Sequence, residues 1–348
     1  MRVLHLVNRV AESGNGISNL VVDLAAGQAA IGLETHLATL GGDYEVLLEE
    51  RGVTLHRIDF TRRKPLAMWR AMRALHALRR ELRPDVIHAH TIAAAVLARL
   101  VCGRSKVVAT VHNEWQRGAV LMAFAHRVVG VSESVRESMR RQGIRPSKLS
   151  VVRNGVVGSF RRRPVAAAQL QHPAIVTVGS ISERKGSDVL LSAFQMVRTQ
   201  VPEAHLYFVG NGDSQQIVDL IRSPDLGRNV HMQGFDPAPQ RYLLSADIFV
   251  LASRKEPFGL ALVEAMEQGV ACVGADTEGI REILSDGSGI LVPIGQADAL
   301  AAAIVSVLSN ADLAVSLGRS ARRRSADYGV MGMAQEYLRI YHVSSRAK

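Results

Sequence analysis

Cysteine is almost missing from this chain of 348 residues: Cys102 and Cys272 stand singly in apolar runs. Two thiols placed that way argue against a disulfide framework and suit a reducing compartment. Aromatic residues make up only 5%, which is thin for the stacking platform of a single-stranded nucleic-acid binder. No uncharged apolar stretch reaches the ~20 residues that a membrane-spanning helix needs, and "TIAAAVLARLVCG" is interrupted by Arg99. The opening "MRVLHLVNRV" starts like a strand and lacks the charged leader, long apolar stretch and cleavage site of a signal peptide. Together these absences lead us to expect a soluble cytoplasmic protein.

Acids are also in deficit: 32 against 42 Lys and Arg, for a net charge of +10. Such an excess suits an acidic partner, whether nucleic acid, anionic lipid or a phosphorylated small molecule. Its densest stretch runs from Arg57 to Arg83, where nine basic residues face only Asp59 and Glu81. There Trp69, Met72, Leu75, Leu78 and Leu82 recur at helical spacing, with Arg70, Arg73, Arg80 and Arg83 on other faces. One reading is a helix packed on a sheet with a solvated charged side. The other is docking on an anionic membrane, where each basic residue contributes roughly 1 kcal/mol.

Short apolar runs alternate with helical patterns along the whole chain. "RVLHLVN", "THLATL", "VTLHRI", "DVIHAH", "KVVATVH", "RVVGV" and "LSVV" read as strands separated by helices. After "RRRPVAAAQLQHP", which suits a linker, the alternation restarts with "AIVTVGS", "AHLYFVGNG", "NVHMQGF", "ADIFVLAS", "VACVGA" and "GILVP". The pattern predicts an α/β chain of two parallel sheets with helices on both faces. We place one Rossmann-like domain at 1–165, a second at 166–328, and a terminal helix at 329–348. Ligands in such halves bind at the carboxyl ends of the strands.

Three loops carry candidate chemistry. In "AESGNGISN", Gly14 and Gly16 sit at a strand-to-helix turn that can cradle a phosphate, although a plain tight turn fits equally. The dinucleotide pattern G-x-G-x-x-G fails there, because Asn19 takes the third place. In "VGSISERKGSDVLLSAF", Arg184 and Lys185 precede a helix mouth, where the macrodipole favours anions. They are either exposed loop cations or partners of an anion bound among them. In "KEPFGLALVEAMEQG", Glu256 precedes a Pro-Phe-Gly turn, and Glu264 lies one turn into the helix that follows. Helical side chains lean toward the N-terminus, so both carboxylates can reach the mouth where Gly259 and Leu260 N–H groups point. A diphosphate suits those N–H groups but repels carboxylates. A nucleotide sugar resolves the conflict: the ribose diol suits Glu264 and the sugar hydroxyls suit Glu256. The helix supplies only ~0.3–1 kcal/mol to an exposed anion, so Arg184 and Lys185 are the needed complement.

Here the chain resembles the retaining glycosyltransferases of family 4, which have the GT-B fold. The resemblance rests on "GNGISNLV", "DVIHAH", "TVHN", "VVRNGV", "VGSISERKG", "FVGNGD", "VHMQGF", "ADIFVLASRKEPFGLALVEAMEQG" and "GILVP", all in family order. It implies two Rossmann-like domains facing across a cleft, and a last helix crossing back to the first. In that helix Met331, Gln335, Leu338 and Tyr341 or His342 have helical spacing for docking. Glu256 and Glu264 would be the E-x7-E pair, orienting the donor sugar and holding the ribose. Lys185 would hold the diphosphate, with N–H groups of Gly16, Gly259 and Leu260 on phosphate oxygens and Phe258 in the same turn. His112 would stand by the donor sugar, and Gly210 and Phe235 near the base. Ser180 occupies a place where many members carry arginine, a charge that Arg184 could replace.

The resemblance further implies a metal-independent transfer, without cofactor, from a UDP- or GDP-sugar to an acceptor hydroxyl. We expect a lipid-linked glycan as acceptor, in surface-glycan or glycolipid assembly at the inner face of a bacterial plasma membrane. Two other readings compete: a basic nucleic-acid-binding protein, and a Rossmann-type oxidoreductase, which explains the first turn but not Lys185 or the glutamates.

Overall fold

The structure, a computed structural model, describes residues 1–62, 64–113, 118–212, 214–221, 226 and 228–346. Arg63 of the basic stretch and Asp213 of "FVGNGD" lie outside the described residues. The chain divides into two compact units, one of Met1–Arg161 with Tyr328–Lys348, the other Arg162–Asp327.

The first unit is built on β1 (Arg2–Leu6), β2 (Glu34–Thr39), β3 (Thr54–Arg57), β4 (Val86–Ala89), β5 (Lys106–Val111), β6 (Arg127–Gly130) and β7 (Leu149–Val151). Its helices are α1 (Gly16–Ala30), α2 (Glu45–Glu50), α3 (Pro65–Leu82), α4 (Ile92–Val101) and α5 (Glu133–Arg141). The strands form one parallel sheet in the order β3-β2-β1-β4-β5-β6-β7. The central strands are buried along their length, which is why they read as unbroken apolar runs. Histidine is the exception: His5 on β1 pairs in register with His88 on β4.

The second unit has β8 (Ala174–Val178), β9 (His205–Val209), β10 (Val230–Gly234), β11 (Ile248–Leu251), β12 (Ala271–Ala275) and β13 (Ile290–Val292). Its helices are α6 (Ser187–Arg198), α7 (Gln215–Ile221), α8 (Gln240–Leu243), α9 (Leu260–Glu267), α10 (Glu278–Leu284), α11 (Ala297–Leu308) and α12 (Ala311–Ser325). The sheet is again parallel, ordered β10-β9-β8-β11-β12-β13. Phe194, Phe208, Ile248, Val250, Val273 and Ile304 belong to its buried core.

A last helix, α13 (Val330–Arg346), returns to the first unit and packs on α1. Its buried face is Val330, Met333, Ala334, Tyr337 and Tyr341, with Leu338 partly buried against it. Of the expected face Leu338 and Tyr341 are there, while Met331, Gln335 and His342 point outward. The approach is close because α1 offers Gly27 there, where a Cβ would stand 3.3 Å from both Ala334 and Val330. Nearby, buried Asp23 of α1 accepts hydrogen bonds from Ser159 Oγ at 2.9 Å, Phe160 N–H at 3.0 Å and Arg161 Nε at 3.0 Å.

Helix α3 also departs from its sequence reading. It buries Ala71, Leu75 and Leu78, but Trp69 is 48% exposed, with Leu66 and Met68 beside it in the first turns. Arg73 lies over the Trp69 ring at 4.7 Å. No single helix among the described residues is long and apolar enough to cross a membrane.

Candidate active site

Strands β8 and β11 are neighbours at the point where the order of the second sheet reverses, the place where open parallel sheets bind ligands. The loop after β8 carries Lys185, and the loop after β11 carries Glu256. Topology therefore brings together two residues 71 positions apart: Lys185 Nζ donates to Glu256 Oε2 at 2.6 Å. Their side chains are only 19% and 9% exposed, and Ser253 Oγ lies 3.4 Å from the same carboxylate oxygen.

Gly186 makes that meeting possible. It adopts φ +68, and a Cβ there would stand 2.0 Å from the carbonyl oxygen of Ala252. Only glycine allows the two loops so close without backbone movement. Arg254, which the sequence reading passed over, then ties them together. Its N–H donates to the Arg184 carbonyl at 2.9 Å, and its guanidinium to the Glu183 carbonyl at 2.7 Å. The same guanidinium forks onto both oxygens of Asp188 at 2.6 Å. The hydrogen-bonded fork holds the Asp188 carboxyl below its ordinary range. Arg184 itself is exposed and reaches the Lys255 carbonyl at 3.4 Å.

The mouth of α9 is made by Gly259 in a left-handed conformation, with no side-chain cap, so the first N–H groups of that helix open there. Glu264 follows one turn in and is half-buried. The Phe258 ring is 2% exposed, so only its backbone can face a ligand. Other loops from the same sheet end converge nearby. A Cβ on Gly210 would stand 2.0 Å from the Gly179 carbonyl oxygen, and Gly210 bridges Gly234. Phe235 is 38% exposed, its N–H donating to Asn211 Oδ1 at 3.2 Å. Ser180 Oγ lies 3.4 Å from Ser182 Oγ.

In the first unit, Gly16 opens α1, capped by Asn15 Oδ1, which accepts from Ile17 N–H at 3.0 Å. His112 follows β5, its Nε2 3.3 Å from His90 Nδ1. Burial pushes His112 down to about 3, which holds the ring neutral. The sequence suggested no metal cluster, yet His5, His88 and His90 gather here with ring nitrogens within 4.8 Å of one another. Those nitrogens are already engaged: His5 with Gln28 and His90, His88 with Tyr341 and Thr110, and His90 with His5 and His112. The cluster is a hydrogen-bonded set rather than an open donor set.

Residues 160–324 match the family described as "Glycosyl transferases group 1", and residues 14–157 match "Glycosyltransferase Family 4". The phosphatidyl-myo-inositol mannosyltransferase of Mycobacterium tuberculosis is 32% identical over 288 residues, covering 74% of this chain and 73% of that protein. The protein of the same name from Mycolicibacterium smegmatis is 29% identical over 283 residues, covering 76% and 72%. Among solved structures, HepE of Anabaena with UDP and glucose superposes with a TM-score of 0.81 at 19% identity, covering 99% of this chain and 100% of that one. The fold is therefore the GT-B type, two parallel-sheet Rossmann-like domains.

Proposed function

Because the chain belongs to the family 4 glycosyltransferases, we propose that it transfers a sugar from a nucleotide diphosphate to an acceptor hydroxyl, with retention at the anomeric carbon. The observation that carries this reading is the Lys185–Glu256 pair at the switch point. A cation and a carboxylate held together beside an uncapped helix mouth are what a sugar-linked diphosphate requires. Lys185 turns to the diphosphate, and Glu256, released from it, accepts hydrogen bonds from the donor sugar. N–H groups of Gly259 and Leu260 meet phosphate oxygens, and Glu264 takes the ribose. Ser180, Gly210 and Phe235 line the nucleotide end, while Gly16 and His112 serve the reaction from the first domain.

The bond from the anomeric carbon to the leaving phosphate oxygen breaks, and one to the acceptor oxygen forms on the same face. The acceptor's proton passes to the leaving phosphate. Protein cations and helix N–H groups supply the charge stabilisation, so the transfer runs without a metal ion. The donor is a UDP- or GDP-sugar. Exposed Leu66, Met68 and Trp69 beside Lys64, Arg70 and Arg73 support an acceptor presented at an anionic membrane surface. The relatives' names, which pair a mannosyl group with phosphatidyl-myo-inositol, support a lipid-linked acceptor in glycolipid or surface-glycan assembly.

The test is a thermal-shift panel of nucleotide sugars, followed by a turnover assay with the one that stabilises the chain. Lys185→Ala and Glu256→Ala should each lower turnover about 100-fold or more, in proteins that still melt cooperatively. A chelator should leave the wild-type rate unchanged. Near-normal turnover in both variants would remove the pair from the reaction.

A further inference from the structure

His112 is the outer end of a hydrogen-bonded chain that crosses the core of the first unit. Its Nε2 faces His90 Nδ1 at 3.3 Å, and His90 Nε2 faces His5 Nδ1 at 3.0 Å. His5 Nε2 then faces Gln28 Oε1 at 2.8 Å, and Gln28 Nε2 donates to the Tyr341 hydroxyl at 3.0 Å. That hydroxyl meets His88 Nδ1 at 2.7 Å, and His88 Nε2 meets Thr110 Oγ1 at 2.7 Å. His5, Gln28, His88 and Tyr341 are fully buried, and His90 is 2% exposed.

Burial keeps these imidazoles neutral, so each ring has one N–H and one lone pair. An amide oxygen only accepts, so the hydrogen of His5 is on Nε2. Its Nδ1 is then a lone pair, which His90 must meet with Nε2–H. By the same step His90 Nδ1 is a lone pair, and His112 must meet it with Nε2–H. With the Gln28 amide set as it is here, Oε1 on His5 and Nε2 on Tyr341, any other assignment sets two lone pairs or two hydrogens against each other in the core, a mismatch that disfavours it roughly tenfold or more. Turning the amide over would reverse every bond of the chain together.

We propose that Gln28, His5 and His90 are positioning residues. They hold His112 as the Nε2–H tautomer, so that the nitrogen it offers the donor sugar is Nδ1, an acceptor for a sugar hydroxyl. Tyr341 ties that setting to α13. The proposal rests on the placement of His112 at the reaction centre put forward above. It goes beyond that reading in naming which nitrogen works and what decides it.

Long-range proton–nitrogen correlation on the full chain with labelled histidine reads the tautomers directly. In the wild type, His5, His90 and His112 should all carry their hydrogen on Nε2. Gln28→Leu removes the acceptor that starts the chain. It should give His112 mixed tautomers and lower kcat about 10- to 100-fold, with donor KM moving less than about threefold. Gln28→Glu, whose carboxylate accepts from both His5 and Tyr341, should restore tautomer and kcat together. Nδ1–H at His112 in the wild type overturns the proposal even if Gln28→Leu fails to fold. A folded Gln28→Leu with unchanged tautomer or unchanged kcat overturns it as well. His112→Ala at wild-type turnover would instead overturn the placement of His112, and with it the purpose of the chain. An inactive His112→Ala beside an unaltered Gln28→Leu would sink the chain alone.

Discussion

Arg254 spends its guanidinium on a carbonyl and a carboxylate of the neighbouring loop, so its worth lies in where it leaves Lys185. The fork to Asp188 joins side chains 37% and 36% exposed, and such pairs contribute no more than about 1 kcal/mol to stability. The fork onto Asp188 and the bond to Glu183 nevertheless fix the turn that aims Lys185 at Glu256. Displacing a charged group by about 1 Å can cost on the order of 100-fold in rate. Arg254→Ala should therefore leave the melting temperature nearly unchanged and lower kcat/KM for the donor by about 10- to 100-fold. Arg254→Lys should not rescue it, because an ammonium cannot reproduce the planar fork. Melting curves and donor kinetics on the same samples decide this. Full activity in Arg254→Ala would make the strap incidental.

Elements were more legible in the sequence than the faces they bury. All of the strands among the described residues, from "RVLHLVN" to "GILVP", were visible. The central ones, such as β11, showed because a strand buried on both sides cannot alternate polar residues, and edge strands such as β3 showed from their short apolar runs between helical patterns. Helices α3 and α13 were visible from their period, but period alone does not say which part of an apolar stripe the neighbouring elements cover. In α3 the covered part is Ala71, Leu75 and Leu78, and Trp69 at the start of the stripe is exposed. In α13 the expected Leu338 and Tyr341 do pack on the core, but the rest of the buried stripe is Val330, Met333 and Tyr337, and Met331 and Gln335 are exposed. The same limit applied at the site. Lys185 and Glu256 each stood in a local loop-to-helix motif, whereas Arg254–Asp188 and the histidine chain join residues with no local relation. The exposed start of α3 leads to an expectation of its own. Reversing Arg70 and Arg73 to Glu should weaken binding to anionic vesicles at least about tenfold, at roughly 1 kcal/mol per charge near the surface. Trp69→Ala should weaken it further, and neutral vesicles should bind little in any variant. Sedimentation with vesicles measures this, and equal binding by the charge-reversed and native chains would show that α3 does not dock on lipid.

At the scale of the whole molecule, the buried histidines bias how the protein fails in acid. Burial lowers His5 to about 4 and His112 to about 3, and holds His88 and His90 well below the ordinary value near 6.5. In the unfolded chain each would take up a proton near pH 6.5, while in the folded unit it cannot. The unfolded state thus binds more protons below that pH, and stability falls as pH drops from about 6.5 toward about 4. Each such histidine contributes a slope of up to about 1.4 kcal/mol per pH unit. The surface carboxylates paired with arginine, Glu34, Glu45 and Asp276 among them, are held below their ordinary range. They lose their contribution only at lower pH, so the interval between about 6.5 and 5 belongs mainly to histidine. A chain already at +10 also gains self-repulsion as it protonates, which acts in the same direction. The second unit holds His205 and His231 only partly buried, so the loss should fall on the first. Melting followed from pH 7 to 5, with hydrogen exchange reporting each unit separately, should show the first unit losing protection before the second. A midpoint that stays flat over that interval, or a second unit that opens first, would mean that the histidine chain is not what limits stability in acid.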